Sequence, residues 1–329
     1  PYRHTSIKED FTMKKALSFA VVGAMAAMLS MNAFAGEVDL SVLEGKVVGF
    51  SQCDNGNSWR IAETDSMQKT ADEVGVTLVY TDAAGDIAKQ ASDIEDMVAQ
   101  GIDYLIVAPQ EEDGLQAALK SAMEAGIPVL LVDRGVNGEA GDVYTTAIMS
   151  DFIWEAEQVA NKLIEDGGGK GNVVILQGTQ GATSTIERQQ GFMDAIADTE
   201  MVVIADQVAD YVMDKGQEVM ENILQAQGDE IDYVFAHNDD MALGAIQAIE
   251  AAGKVPGVDI KVAGIDGPKA AMEAILAGKE FCSCSCSPLF GQVSFETIAR
   301  IEAGEEVPTA ITNSDTLYDI DNASVEAGY

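Results

Sequence analysis

His237, Asn238 and Asp239 follow directly on the apolar run Tyr233-Val234-Phe235-Ala236, and a helical pattern (Met241, Ala242, Ala245, Ile246, Ile249) comes after them. They therefore sit on a strand-to-helix turn. In an open parallel sheet, ligands bind outside that carboxyl edge, and helix N-terminal amides point to the same place. Asn238 or Asp239 would serve equally as a helix cap, so this turn alone leaves both readings open. Similar side chains follow the other apolar runs. Gln52, Ser58, Trp59 and Arg60 come after the first run, and Asp133 and Arg134 after 129–132. Arg188 comes after 173–176, Tyr211 after 201–205, and Asp266 after 261–264. With Asn238 and Asp239 they form one ring of carboxylates, amides, guanidiniums and aromatics.

That chemistry suits a polyhydroxyl ligand. Each sugar hydroxyl both donates and accepts; Asp and Asn accept, and Arg presents a planar fork of donors. A flat aromatic such as Trp59 or Tyr211 would cover the apolar face of a sugar ring. Each residue also has a plainer reading alone. Trp59 could be core, Asp133 with Arg134 a surface ion pair, and Arg188 a solvated helix residue. Collected on one edge, they favour a ligand.

Catalysis has little to work with. After the leader, His237 is the sole histidine, and no nucleophile elbow or metal-ligand spacing accompanies it. No phosphate-binding loop or dinucleotide fingerprint occurs, and the glycines at 167–169 follow a helix rather than a strand. We expect no enzyme activity, no cofactor and no metal.

The elements that must position this ring alternate from residue 46 onward. Expected strands lie at 46–51, 77–80, 104–108, 129–132, 173–176, 201–205, 233–236, 261–264, 281–286 and 316–318. Expected helices lie at 58–73, 87–100, 114–124, 151–165, 185–197, 215–226, 239–251, 269–277 and 289–302. Near-continuous apolar strands signal parallel strands covered on both faces. Two such series imply an α/β fold of two doubly wound parallel-sheet lobes. With 47% hydrophobic residues over 329, each lobe can bury a core.

The amino end reads as a targeting segment. Met13-Lys14-Lys15 begins it, an apolar run of small residues follows, and Ala33-Phe34-Ala35 is a small-x-small cleavage signal. The apolar run is short for a membrane span. Residues 1–35 are therefore expected to be a leader and signal peptide, cleaved after Ala35 as the chain is exported. Residues 1–12 lie upstream of that start. The net charge of −36 argues against nucleic acid and against anionic lipid.

Cys282, Cys284 and Cys286 alternate on one strand, so their sulfurs share a face. Residues i and i+2 on a strand poorly fit disulfide geometry. They read as small core thiols, with Cys53 pairing to one of them as the alternative.

Several motifs carry a resemblance: Gly49-Phe50-Ser51-Gln52 with Ser58-Trp59-Arg60; Leu131-Val132-Asp133-Arg134; Gln177-Gly178-Thr179 with Arg188; Ala236-His237-Asn238-Asp239-Asp240; and Gly264-Ile265-Asp266-Gly267. On these the chain resembles the periplasmic sugar-binding proteins of ABC importers, of the ribose and galactose type, and among them the galactofuranose-binding branch. The resemblance implies the type I periplasmic binding protein fold, in which a hinge of three segments joins two lobes. Here the hinge segments fall near 147–149, 286–289 and 310–312. The first lobe would comprise 36–147 with 288–310, and the second 148–287 with 311–329. The resemblance further implies a monomer that captures a monosaccharide, such as galactofuranose, galactose or arabinose, and delivers it to a membrane permease. Presentation of ligand to a chemoreceptor or sensor kinase is the alternative. The implied sugar ligands are Asp133, Arg134, Arg188, Asn238 and Asp266, with Trp59 and Arg60 from the first loop. Tyr211 matches an aromatic position of the ribose-binding branch. Residues 282–288 depart from the family pattern, which leaves a ligand contact from Ser285 or Cys286 open.

Overall fold

The computed structural model describes residue 36 and residues 38–329; the leader and its expected cleavage after Ala35 lie outside the described residues. Strands and helices alternate as the apolar runs predict. The first series is β1 (Val47–Gln52), α1 (Ser58–Val74), β2 (Thr77–Asp82), α2 (Ile87–Gln100), β3 (Tyr104–Val107), α3 (Gln116–Glu124), β4 (Val129–Val132) and β5 (Thr146–Met149). The second is α4 (Phe152–Gly167), β6 (Lys170–Gln177), α5 (Thr183–Ile196), β7 (Glu200–Val208), α6 (Met213–Gln227), β8 (Tyr233–Ala236), α7 (Asp239–Ala251), β9 (Lys261–Asp266), α8 (Lys269–Leu276) and β10 (Cys282–Ser285). The chain then adds α9 (Gly291–Glu302), β11 (Ala310–Thr312) and β12 (Leu317–Tyr318).

The strands form two six-stranded sheets, ordered β2-β1-β3-β4-β5-β11 and β7-β6-β8-β9-β10-β12. The two orders are the same, so the lobes repeat one another. All pairings are parallel except β10 with β12. Strand order reverses at β1 and again at β6, which opens a crevice at the carboxyl edge of each sheet.

Apolar side chains on both faces of the strands build the core. Phe50, Ile106, Leu130 and Val132 pack on one face of the first sheet, and Leu105, Val107, Val129 and Leu131 on the other. The second sheet repeats this with Val173, Ile175 and Phe235 against Val174, Leu176 and Val234. Helix α9 returns to the first lobe and packs on α1. Gly101 ends α2 in the left-handed region at φ 79°, as the glycine there predicts.

Two of the expected hinge segments lie within strands of the first sheet. Residues 147–149 belong to β5, which pairs with β4, and residues 310–312 form β11, which pairs with β5. Both strands are short and lack a clear alternation, so the pattern hid them. The first sheet therefore reaches Met149 and Thr312, beyond the expected boundaries at 147 and 310. The chain passes between the sheets over 150–151, 286–290 and 313–316. Helix α1 is capped by Asn57, whose side chain accepts from the amide of Arg60 at 2.9 Å.

All four cysteines are buried free thiols. Cys282, Cys284 and Cys286 belong to the apolar core, and Cys286 Sγ lies 3.6 Å from Ser150 Oγ. Titration with a thiol reagent should find little reaction in the native protein and four thiols after unfolding without reductant. Two thiols in the unfolded chain would mean that a disulfide forms instead.

Candidate ligand-binding site

Backbone at the ends of the strands turns sharply to present the candidate groups. Asp133 after β4, Tyr211 after β7 and Asp266 at the end of β9 have φ values of 62°, 62° and 127°. Side chains with a Cβ seldom occupy positive φ, and such residues cluster at functional sites.

The two lobes present matching ionic pairs. In the first, Arg60 on α1 donates through NH2 to Asp133 Oδ2. In the second, Arg188 NH2 on α5 lies 3.5 Å from Asp266 Oδ1. Helices α1 and α5 each follow the first strand of their sheet, and Asp133 and Asp266 each sit at the end of the fourth. Each arginine is backed by a buried glutamate. Arg60 NH1 donates to Glu63 at 2.8 Å, and Arg188 donates to Glu155 from Nε at 3.0 Å. The ionic pairs are thus equivalent in the repeated fold and face one another across the crevice.

Aromatic side chains complete the walls. The Trp59 indole donates to the Cys286 carbonyl at 2.7 Å, joining the first lobe to the crossing segment. The Tyr211 hydroxyl donates to Ser184 and accepts from Thr185, both at 2.9 Å. Its ring lies so close to Gly178 that a Cβ there would fall 2.0 Å from it, which makes glycine necessary at that position. From the first lobe, the Arg134 guanidinium sits 5.4 Å from the Tyr211 ring centroid. Arg134 NH1 donates to the Gln110 carbonyl at 2.9 Å, and its buried Nε lies 3.5 Å from Asp133 Oδ2 as an ion pair.

Between these walls lies a small polar cavity of about 20 Å³, room for about one water molecule with the lobes drawn together as they are here. Eight of the expected residues line it: Trp59, Arg60, Asp133, Arg134, Arg188, Tyr211, Asn238 and Asp266. Three do not. Gln52 lies beneath, donating to Glu63 at 3.0 Å and to Thr64 at 3.1 Å. Ser58 is turned to the rim, where it meets Asp240. Asp239 is buried away from the cavity and accepts from the Gly267 amide at 2.7 Å and the Ser283 hydroxyl at 2.6 Å. Asn238 fulfils both readings, since it caps α7 through the Met241 amide and also lines the cavity.

Asn57, Ser184 and Cys286 also line the cavity, and only Cys286 was raised in the sequence, as an open question. The supporting glutamates were missed as well. Glu155 falls on the buried stripe of α4 among Phe152, Ala156 and Val159, and a charge at such a position was the available signal.

Burial sets the protonation of these groups. It pushes Glu63 up to about 7 and Glu155 up to about 8, against the opposing pull of Arg60 and Arg188. Burial likewise raises Asp266 well above the carboxylate range, with Arg188 acting against it. His237 is held neutral: burial, then the nearby Arg188, lowers it to about 3, and its carbonyl accepts from Arg188 at 2.6 Å. Among the described residues no group of His, Cys, Asp and Glu could hold a metal ion.

Two sheets of identical strand order, crossed three times by the chain and closed over a polar cavity, define the type I periplasmic binding protein fold. Residues 48–306 match the periplasmic binding protein domain family, and the chain belongs to that family. It is 35% identical to the galactofuranose-binding protein YtfQ of Escherichia coli over 93% of this chain and 95% of that one. It is 38% identical to the ribose import binding protein RbsB of Bacillus subtilis, over 80% and 84% of the two chains. The periplasmic binding protein component of the arabinose ABC transporter from Shewanella sp. ANA-3, solved bound to α- and β-L-arabinofuranose, is 33% identical with a TM-score of 0.82. That match covers 85% of this chain and 94% of that one.

The raised glutamates predict a pH dependence. A carboxyl raised in the folded state stabilises it fully below its unfolded pKa of about 4.5, and this contribution is lost as pH rises through the folded value. Melting temperature should therefore fall from about pH 4.5 to pH 8 and level off above it, and Glu155→Gln should flatten that fall by about 2–4 °C for each kcal/mol involved. Equal slopes for variant and wild type across melting curves would refute this assignment.

Proposed function

We propose that this protein captures one monosaccharide between its lobes, with galactofuranose, galactose and arabinose as the sugars of choice, and delivers it to the permease of an ABC importer. One observation carries the reading: an Arg–Asp pair from each lobe converges on a small cavity walled by Trp59 and Tyr211. A furanose or pyranose ring offers hydroxyls around its edge and C–H groups on its faces. The arginines donate to the hydroxyl oxygens, and Asp133, Asp266 and Asn238 accept their protons. Trp59 and Tyr211 cover the ring faces.

Closure follows from the same contacts. A ligand gripped by groups from both lobes binds the closed form better, and that differential affinity drives the hinge over 150–151, 286–290 and 313–316. Burying the arginines and carboxyls is tolerable because they are paired with one another and with ligand. The reading includes secretion to the periplasm with cleavage after Ala35 and action as a monomer. The names of the relatives, which cover galactofuranose, ribose and arabinose, support the choice of sugars.

The test is calorimetric titration and thermal shift of residues 36–329 with L-arabinose, D-galactose, ribose, xylose and glucose. A ligand that binds only the folded state raises the melting temperature. Arabinose or galactose should give the largest shift. Asp133→Ala and Arg188→Ala should each weaken binding by roughly a hundredfold or more while circular dichroism stays native, because each strands a buried charged partner. No shift with any sugar, or wild-type affinity in either variant, would overturn the proposal.

A further inference from the structure

The rim of the cleft carries a contact between the lobes that no cavity-lining side chain makes. Ser58 opens α1 in the first lobe, and Asp240 lies in the first turn of α7 in the second. The Ser58 amide donates to Asp240 Oδ2 at 3.1 Å. The Ser58 hydroxyl lies 3.2 Å from Oδ1 and 3.1 Å from Oδ2. Neither residue lines the cavity. The Ser58 amide is one of the helix-start donors that have no partner within the helix. Helix N-termini also carry partial positive charge. The Asp240 carboxylate therefore sits between two such ends, its own and that of α1. When the lobes part, it keeps only its own.

Contacts elsewhere on the rim are of a different kind. The Glu112 amide donates to the Gly181 carbonyl at 2.9 Å, and Thr183 exchanges hydrogen bonds with the Gly135 backbone at 3.2 Å. These bonds are uncharged. The Ser58–Asp240 contact alone among them brings a carboxylate, and hydrogen bonds to charged groups are the stronger class.

We infer that Ser58 and Asp240 form a latch that holds the lobes closed and sets how long a captured ligand stays, without taking part in its recognition. The effect on ligand release rests on the function proposed above; the effect on lobe closure does not. Both are positioning residues. Because they touch no lining group's ligand face, loss of the latch speeds release of every ligand alike and leaves the order of preference among sugars unchanged.

The experiment compares wild type with Ser58→Ala, Asp240→Asn and the double variant. Small-angle X-ray scattering reports the dimensions of each with and without L-arabinose, and stopped-flow fluorescence reports release of L-arabinose. Asp240→Asn should release the sugar about tenfold faster or more, from the loss of a charge-assisted bond. Ser58→Ala, which keeps its amide, should show a smaller change in the same direction. The double variant should show less than the sum of the two. Arabinose-to-galactose selectivity should match wild type in all of them, and the variants should be more open than wild type. Wild-type dimensions together with wild-type release in both single variants would overturn the latch, as would altered selectivity. If wild type binds no sugar, the proposed function fails, and the scattering comparison by itself decides the latch: a more open Asp240→Asn supports it and unchanged dimensions refute it.

Discussion

The structure depends on keeping buried guanidiniums paired. Arg60, Arg134 and Arg188 are each only 2–3% exposed, and an ion withdrawn from water costs several kcal/mol unless good geometry offsets it. Pairing requires carboxylates at the ends of β4 and β9. Those carboxylates reach the arginines only because Asp133 and Asp266 adopt positive φ, a strain on the order of 1–3 kcal/mol each. Two well-packed sheets supply the rigidity that holds such strain in place. The cleft is thus a place where polar groups are held in costly positions by an apolar scaffold.

The same logic is written twice. Each lobe supplies one arginine from the helix after its first strand, one aspartate from the end of its fourth strand, and one buried glutamate behind the arginine. The glutamates make the arginines rigid from the side away from the cavity. Glu155 holds Arg188 through two short contacts, at Nε and at NH2, while burial pushes its carboxyl up to about 8 against the pull of Arg188. A site shared between two lobes in this way is complete only when they are closed, which joins recognition to motion.

Much of this was legible in the sequence, for identifiable reasons. Parallel strands buried on both faces stand out as apolar runs, and Tyr233–Ala236 and Val129–Val132 appear where expected. The residues just past those runs lie at the carboxyl edge, so Asp133, Arg134, Asn238 and Asp266 could be named before any coordinates. Direction was harder to read. Gln52, Ser58 and Asp239 stand at the right edge but turn below it, to the rim or into the core, because side-chain orientation depends on tertiary partners such as Glu63, Asp240 and Ser283. Strands β5 and β11 were read as hinge segments, since three- and four-residue strands carry too little pattern to separate from a crossing.

By this reading the paired Arg–Asp groups of the two lobes grip one sugar ring between them. A crystal structure of residues 36–329 grown with L-arabinose or D-galactose tests it most directly. The sugar should lie between Trp59 and Tyr211, with hydroxyls bonded to Asp133 or Arg60 on one side and to Asp266 or Arg188 on the other. Sugar held by one lobe alone, or bound outside this cavity, would contradict it.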